Sequence, residues 1–67
     1  MNAKIERYKL YKTAVFCVTK LDIVAGEIVG IAFSFLDRQG EPMWDVTTQD
    51  GRTEYSVPHI YLTGFVL

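Results

Sequence analysis

Few side chains in this 67-residue sequence are suited to chemistry. His59 is its only histidine and Cys17 its only cysteine. Histidine is the side chain whose ordinary pKa lies near neutrality, but no Asp, Ser or Cys adjoins His59 in a spacing that forms a nucleophile–base pair. One Cys and one His are too few for a structural zinc site. The sequence therefore predicts no catalytic residue, no metal site and no cofactor, and it predicts that His59 is a surface residue of a turn.

The remaining ionisable side chains also have an explanation without catalysis. Cys17 lies between Phe16 and Val18, with no basic neighbour to lower the pKa of its thiol, so we expect a buried and unreactive residue. A single cysteine excludes an intramolecular disulfide. An acidic, solvated surface accounts for the carboxylates of the turns and polar strand faces: Asp37, Glu41, Asp45, Asp50 and Glu54.

Charge is unevenly distributed along the chain. Residues 1–22 hold five cations against two carboxylates, whereas residues 23–67 hold two cations against six carboxylates. Four cations near the N-terminus could contact nucleic-acid phosphates, with tyrosines interleaved for stacking: Lys4, Arg7, Lys9 and Lys12. Because the rest of the chain is acidic, nucleic-acid binding is the less favoured function.

Chain length and composition favour one small domain. A chain of 67 residues has room for a single core, and a core of this size is marginal without a disulfide or a metal. Self-association would add buried apolar area, so a homo-oligomer is a further expectation. The charged N-terminal segment does not resemble a secretory signal, and no apolar run approaches 18 residues. We expect a cytoplasmic location and no membrane contact.

Glycine and proline divide the sequence into short segments. They recur after residue 25 at intervals that exclude helices of ordinary length: Gly26, Gly30, Gly40, Pro42, Gly51, Pro58 and Gly64. Between them lie runs rich in Val, Ile, Thr, Phe and Tyr, which are typical of strands. The pattern predicts an all-β fold of five strands, at 14–19, 27–36, 43–48 and 53–57 with a last strand ending at 66. The first dozen residues fit either a helix or a strand.

The second predicted strand has a bulky face and a small face. Its bulky residues alternate along the strand and are expected in the core: Val29, Ile31, Phe33 and Phe35. On the small face, Gly30 and Ala32 would allow close approach by another backbone or subunit.

The later segments contain the main aromatic candidates. Trp44 and Val46 are expected on the core side of the third strand, although Trp44 could instead be a ligand platform. Tyr55 and Tyr61 have the same two interpretations. A turn over 37–42 with Gly40 at positive φ, a hairpin at Asp50-Gly51 and a tight 3₁₀ turn from Pro58 to Tyr61 are also predicted.

These segments resemble those of SH3 domains. The order GEIVGIAF, MWDV, DGR and VPHIY, over residues 26–62, matches a Gly-Asp/Glu before a strand, a Trp-bearing strand, an Asp-Gly turn and a Pro-x-x-Tyr turn. The resemblance implies a small five-stranded SH3-like barrel over residues 13–67, preceded by a basic N-terminal arm at 1–12.

The SH3 resemblance also implies a ligand site. In SH3 domains, Trp, Pro and Tyr from these segments form an aromatic groove for proline-rich peptides. By position, Trp44, Pro58 and Tyr61 inherit these roles. The tryptophan pair of SH3 domains is Met43-Trp44 here, and the first-strand Ala-Leu-Tyr-Asp-Tyr pattern is absent.

A second resemblance is to the plasmid-encoded type II dihydrofolate reductase, a tetramer of small SH3-like barrels. GEIVG at 26–30 and SVPHIY at 56–61 are similar to a strand and a pore segment of that family. This resemblance implies an oligomeric enzyme that binds folate and nicotinamide cofactor, with Ile60 and Tyr61 matching the pore segment and His59 in place of its glutamine.

The leading prediction is a non-enzymatic protein-interaction domain, of the kind that phages and plasmids use to modulate host machinery. It would bind another protein through a sheet edge or through an aromatic strip: Trp44, Pro58, His59 and Tyr61. A type II dihydrofolate reductase-like enzyme and nucleic-acid binding by the N-terminal arm are the alternatives.

Overall fold

The computed structural model describes residues 3–67, so the first two residues of the predicted arm, Met1 and Asn2, lie outside the described residues. The elements are α1 (Ala3–Tyr8), β1 (Thr13–Phe16), β2 (Ile28–Leu36), β3 (Pro42–Thr47), β4 (Thr53–Pro58), a 3₁₀ turn (His59–Tyr61) and β5 (Leu62–Val66). The predicted all-β class with five strands is confirmed. Within residues 3–67, no helix has the length and apolar character needed to cross a membrane.

The five strands form one antiparallel sheet in the order β4-β3-β2-β1-β5. The edge strands β4 and β5 are joined by only three residues, His59–Tyr61. In a flat sheet, four spacings of about 4.8 Å would separate these edges by roughly 19 Å. Even when fully extended, the four steps from Pro58 to Leu62 span only about 14 Å. The sheet must therefore curl, which is compatible with a small β-barrel-like fold.

A single hydrophobic core contains residues from β1 to β5 and from the loop after β1. Its buried members are Ala14, Phe16, Ile23, Val29, Ile31, Trp44, Val46, Val57 and Leu62. The alternation predicted for β3 is confirmed by buried Trp44 and Val46, and that predicted for β2 is confirmed for its first half, where Val29 and Ile31 are buried. Trp44 is the largest fully buried side chain, so its packing contributes a large share of the apolar burial.

Phe35 does not occupy the predicted core position. Phe33 pairs with Trp44, but the next pair is Phe35 with Met43, so Ser34 has no partner of its own on β3. This β-bulge changes the direction of the following side chain. Phe35 consequently lies on the outer face of the sheet and is 46% exposed.

The first strand is shorter than predicted because the chain leaves the sheet after Phe16. In the loop that follows, Leu21 and Asp22 both adopt φ of +58°, and Ile23 returns to the core. The Arg52 guanidinium donates hydrogen bonds to the carbonyls of Leu21 and Asp22, at 3.3 and 3.0 Å. Arg52 thus ties this loop to the start of β4.

Two glycines in the sheet region have different requirements. Gly51, in the β3–β4 hairpin, has φ of +90°, whereas Gly30 lies in β2, where an added Cβ would approach Thr47 no closer than 3.8 Å. We expect Gly51→Ala to reduce the free energy of unfolding by about 1 kcal/mol, because alanine is strained at positive φ.

The matched control for this change is Gly30→Ala, which we expect to stay within about 0.5 kcal/mol of the parent. Urea denaturation of both variants measures the difference. Equal losses for the two variants would contradict the assigned hairpin geometry.

Candidate interaction surface

Trp44 lies in the core and not on the surface. Its side chain is fully buried, and its ring contacts the rings of Tyr8, Tyr11, Phe33 and Phe65 at centroid distances of 5.2 to 6.4 Å. Of the two interpretations that the sequence left open for Trp44, the structure shows the core position. The reason is its register on β3, which directs the ring inward.

His59 was expected on the surface but its ring faces the core. The Trp44 indole N–H donates a hydrogen bond of 3.0 Å to Nδ1 of His59. The imidazole also stacks on Phe65, with ring centroids 4.8 Å apart and planes within 9°. These contacts anchor the 3₁₀ turn to the core, so the half-buried His59 positions the turn.

The contact with Trp44 requires a particular protonation state of His59. Nδ1 can accept the indole N–H only when it carries no proton, so the neutral ring holds its proton on Nε2. Desolvation lowers the pKa of His59 below its ordinary value of 6.5, and the nearby negative charge of Glu41 opposes this effect in part. Both the geometry and the burial therefore favour neutral His59.

Three apolar side chains align across the outer face, and a fourth follows at the β4 end of the row. Met43 pairs with Phe35 on one side and with Pro58 on the other, and paired residues share a face of the sheet. Tyr61 ends the 3₁₀ turn that starts directly after Pro58, which brings it to the β4 end of this row. We name this row the apolar strip: Phe35, Met43, Pro58 and Tyr61. Phe35 is exposed and the other three are half-buried.

The end of the apolar strip at Tyr61 is held from two sides. The Tyr61 ring packs edge-on against buried Phe16, with centroids 5.9 Å apart, and Lys20 places its Nζ 5.4 Å from the centre of the Tyr61 ring. The Tyr61 carbonyl accepts a hydrogen bond of 2.8 Å from the backbone N–H of Cys17. Tyr61 can thus offer a fixed aromatic surface with a cation beside it.

Cys17 is exposed, so the expectation of a buried thiol is wrong. Because β1 ends at Phe16, Cys17 belongs to the loop and not to the predicted strand interior. Its Sγ lies 3.3 Å from the carbonyl oxygen of Ile60, next to the apolar strip. Ile60 is itself 72% exposed and extends the apolar surface at this end.

Both edge strands of the sheet are distorted. On β4, the register shift leaves Tyr55 and Ser56 opposite Asp45 alone, and Ser56 has φ of +57°. On β5, a similar shift falls where Gly64 has φ of +60°. Bulges of this kind interrupt the row of backbone groups that another strand would need for pairing. Both edges are therefore poorly suited to pairing with a further strand.

The cations of the N-terminal segment are exposed, whereas its tyrosines face inward. Tyr8 packs against Phe33 and Tyr11 against Phe65, at centroid distances of 5.5 and 5.3 Å. Their rings are therefore not presented beside the predicted nucleic-acid contacts: Lys4, Arg7, Lys9 and Lys12.

An open cleft of about 420 Å³ lies at the other end of β4 from the apolar strip. It is lined by Asp22, Gly26, Glu27, Ile28, Gln49, Asp50 and Arg52. Its cation Arg52 bridges to Asp50 at 3.4 Å and, beyond the cleft lining, to Glu54 at 3.2 Å. A hydrogen bond from Thr48 lowers the pKa of Asp50. Among residues 3–67, no group of three His, Cys, Asp or Glu side chains could hold a metal ion.

Sequence reasoning missed two members of the apolar strip, Phe35 and Met43. The exposure of Phe35 depends on the bulge at Ser34, which has no local signal in the sequence. A signal for Met43 was present, since it occupies the first position of the tryptophan pair in the SH3 resemblance.

No protein-family model matches this chain, and no curated protein or solved structure matches it significantly.

Replacing the acceptor of the Trp44 hydrogen bond is expected to destabilise the protein. His59→Phe keeps an aromatic ring against Phe65 but leaves the buried indole N–H unpaired, which costs about 1–3 kcal/mol. In a Trp44→Phe background, which has no N–H to satisfy, the same change should cost clearly less. Chemical denaturation of the four proteins in this cycle measures the coupling. If His59→Phe lowers the free energy of unfolding equally in the parent and in the Trp44→Phe background, the hydrogen bond between Trp44 and His59 is contradicted.

The same histidine predicts a pH dependence. Because the pKa of His59 is lower in the folded than in the unfolded state, the unfolded chain binds more protons between the two values. The contribution of His59 is complete above about pH 6.5 and is lost as the pH falls through the folded-state pKa. Thermal unfolding between about pH 5 and 7 should show this decline in the parent and less of it in His59→Phe. Equal dependences of the thermal midpoint on pH in the parent and in His59→Phe would refute the assignment of this decline to His59.

The exposed position of Cys17 predicts a reactive thiol in the folded protein. We expect native Cys17 to react with Ellman's reagent within about tenfold of its rate in denaturant, since no unfolding is needed for access. Stopped-flow absorbance measures both rates. If the native rate instead falls when a stabilising osmolyte is added, the reaction requires unfolding, and the thiol is buried in the folded protein.

Proposed function

We propose that this chain is an SH3-like barrel that acts as a non-enzymatic protein-interaction domain, binding another protein across the apolar strip. The order β4-β3-β2-β1-β5 and the 3₁₀ turn between β4 and β5 support the SH3-like assignment, because the resemblance of VPHIY to the SH3 Pro-x-x-Tyr turn falls on this connection. Action in the cytoplasm on host machinery, as expected of a phage or plasmid protein, belongs to this proposal.

The observation that carries the proposal is the register that aligns Phe35, Met43 and Pro58 across three strands. Such apolar side chains would be expected in the core of so small a domain, yet these lie on the outer face. An exposed, contiguous apolar surface on a small domain is typical of an interaction site. The apolar strip retains the predicted Pro58 and Tyr61 and replaces Trp44 with its neighbour Met43.

The interior contacts support this assignment by making the apolar strip rigid. His59 holds the 3₁₀ turn through Trp44, and Phe16 supports the ring of Tyr61. A surface that is already ordered before binding loses less conformational entropy when a partner arrives. His59 thus acts as a positioning residue for Pro58 and Tyr61.

The two alternative functions remain predictions without a favouring observation. For the reductase, His59 would have to face a pore, whereas its ring is engaged with Trp44 and Phe65. For nucleic-acid binding, Tyr8 and Tyr11 would have to stack on bases, whereas both rings pack inward.

Site-specific photo-crosslinking in cells of the organism that encodes the chain tests the proposal. A benzophenone amino acid at position 35 lies on the apolar strip, and the same group at position 55 is a matched control, since Tyr55 is 73% exposed on β4. We expect a discrete adduct from position 35 and none from position 55. Met43→Glu, which places a charge in the centre of the apolar strip, should remove the adduct.

Circular dichroism and the thermal midpoint of Met43→Glu verify that the fold is retained. Because Met43 points outward, this change does not bury the new charge in the core. Equal adducts from positions 35 and 55, or no adduct from position 35, would refute binding at the apolar strip.

A further inference from the structure

Carboxylates border the apolar strip. Asp45 lies two residues beyond Met43 on the same outward face of β3, and Glu41 lies two residues before Met43. The ion pairs within residues 3–67 are those of Arg52 with Asp50 and Glu54, so neither Asp45 nor Glu41 is neutralised by a cation. The apolar strip therefore favours a partner that combines an apolar side chain with basic groups.

The segment from Arg7 to Lys12 has this combination of properties. Leu10 is 57% exposed, and Lys9 and Lys12 are exposed on either side of it. Neither lysine forms an ion pair with any residue of the described chain, and the same is true of Arg7. Because Tyr8 and Tyr11 point toward the core, the opposite side of the segment exposes its basic residues and Leu10.

We propose that the apolar strip of one copy binds the segment 7–12 of a second copy, with Leu10 on the strip and Lys9 and Lys12 paired with Glu41 and Asp45. This proposal rests on the proposed function, because it names the partner of the same surface. Two such contacts exchanged between two chains close a twofold-symmetric dimer, in which each chain contributes one segment and one strip.

Geometry separates this arrangement from contact within one chain. The segment is held on the inner side of its own sheet, where Tyr8 contacts Phe33 and Trp44. The backbone N–H of Lys12 donates a hydrogen bond of 2.8 Å to the Val66 carbonyl, and the Lys12 carbonyl accepts one of 2.9 Å from the N–H of Ile31. The apolar strip lies on the outer side of the same strands. A chain cannot cover its own strip without breaking these contacts, whereas a second chain can do so without disturbing them.

Self-association also suits the size of the domain. The nine buried hydrophobic residues found within 3–67 form a small core of limited stability, and covering Phe35 and Met43 would add apolar burial at little structural cost. The contact should be weak and sensitive to salt, because its charged groups lie at the rim where ions screen them.

Sedimentation equilibrium from about 10 μM to about 1 mM protein tests the proposal at two salt concentrations. We expect a monomer–dimer equilibrium whose dissociation constant rises at least about tenfold between roughly 50 and 500 mM salt. A chain that stays monomeric up to 1 mM would overturn the proposal.

Charge reversal identifies the surfaces in contact. Lys9→Glu with Lys12→Glu, and separately Glu41→Lys with Asp45→Lys, should each weaken the dimer about tenfold or more. The combined fourfold variant restores opposite charges and should return to within about threefold of the parent affinity. A dimer that neither reversal weakens, or that the combination fails to restore, would refute the assigned pairing.

Single neutralisations supply a matched control. Asp45→Asn should weaken the dimer, whereas Asp22→Asn, at the other end of β4, should leave it unchanged. Equal effects would attribute the association to net charge alone and overturn the proposal.

The crosslink from position 35 separates this proposal from the proposed function. An adduct of two chains supports the dimer, whereas an adduct with a different protein, together with a monomeric chain, overturns the dimer and retains the interaction site.

A gel-shift assay with an oligonucleotide tests whether the segment 7–12 binds nucleic acid instead. If the lysine reversals abolish a gel shift and leave the association unchanged, the segment binds nucleic acid and the proposal fails.

Discussion

The short connection between the two edge strands is the constraint on which the structure depends. Only His59, Ile60 and Tyr61 join β4 to β5, although these strands lie at opposite ends of the sheet order. A flat sheet would place the edges too far apart for this connection, so the sheet has to curl around one core. The same three residues then lie where the two edges approach each other, with His59 facing the core and Ile60 facing solvent.

The hydrogen bond between Trp44 and His59 holds this connection in place. It satisfies the indole N–H of the largest buried side chain, and no buried side-chain nitrogen or oxygen of residues 3–67 lacks a partner. Phe65 stacks on the imidazole, and Tyr8 covers the cluster from the N-terminal helix. One neutral histidine thus links the turn, the last strand and the helix, and these contacts order the outer surface at the turn.

The outer surface combines an aligned apolar row with uncompensated charge. Bulges distort both edge strands, which makes them poor templates for pairing with a further strand. Acidic side chains border the apolar strip, and the basic N-terminal segment lies on the other side of the sheet, where its own chain cannot use it to neutralise them. The division of charge that is visible in the sequence thus becomes, in the folded chain, an acidic surface and a basic surface that face in different directions.

The sequence alone determined the features that depend on local chemistry. Glycine and proline spacing located the five strands, Gly40 and Gly51 marked turns that need positive φ, and the Pro58–Tyr61 run predicted the 3₁₀ turn. Alternation likewise identified the buried faces of β2 and β3. The inward orientation of His59, the exposure of Cys17 and the outward turn of Phe35 were decided only by the tertiary structure. Each depends on which strand lies opposite and where its register shifts, and residues distant in sequence set both.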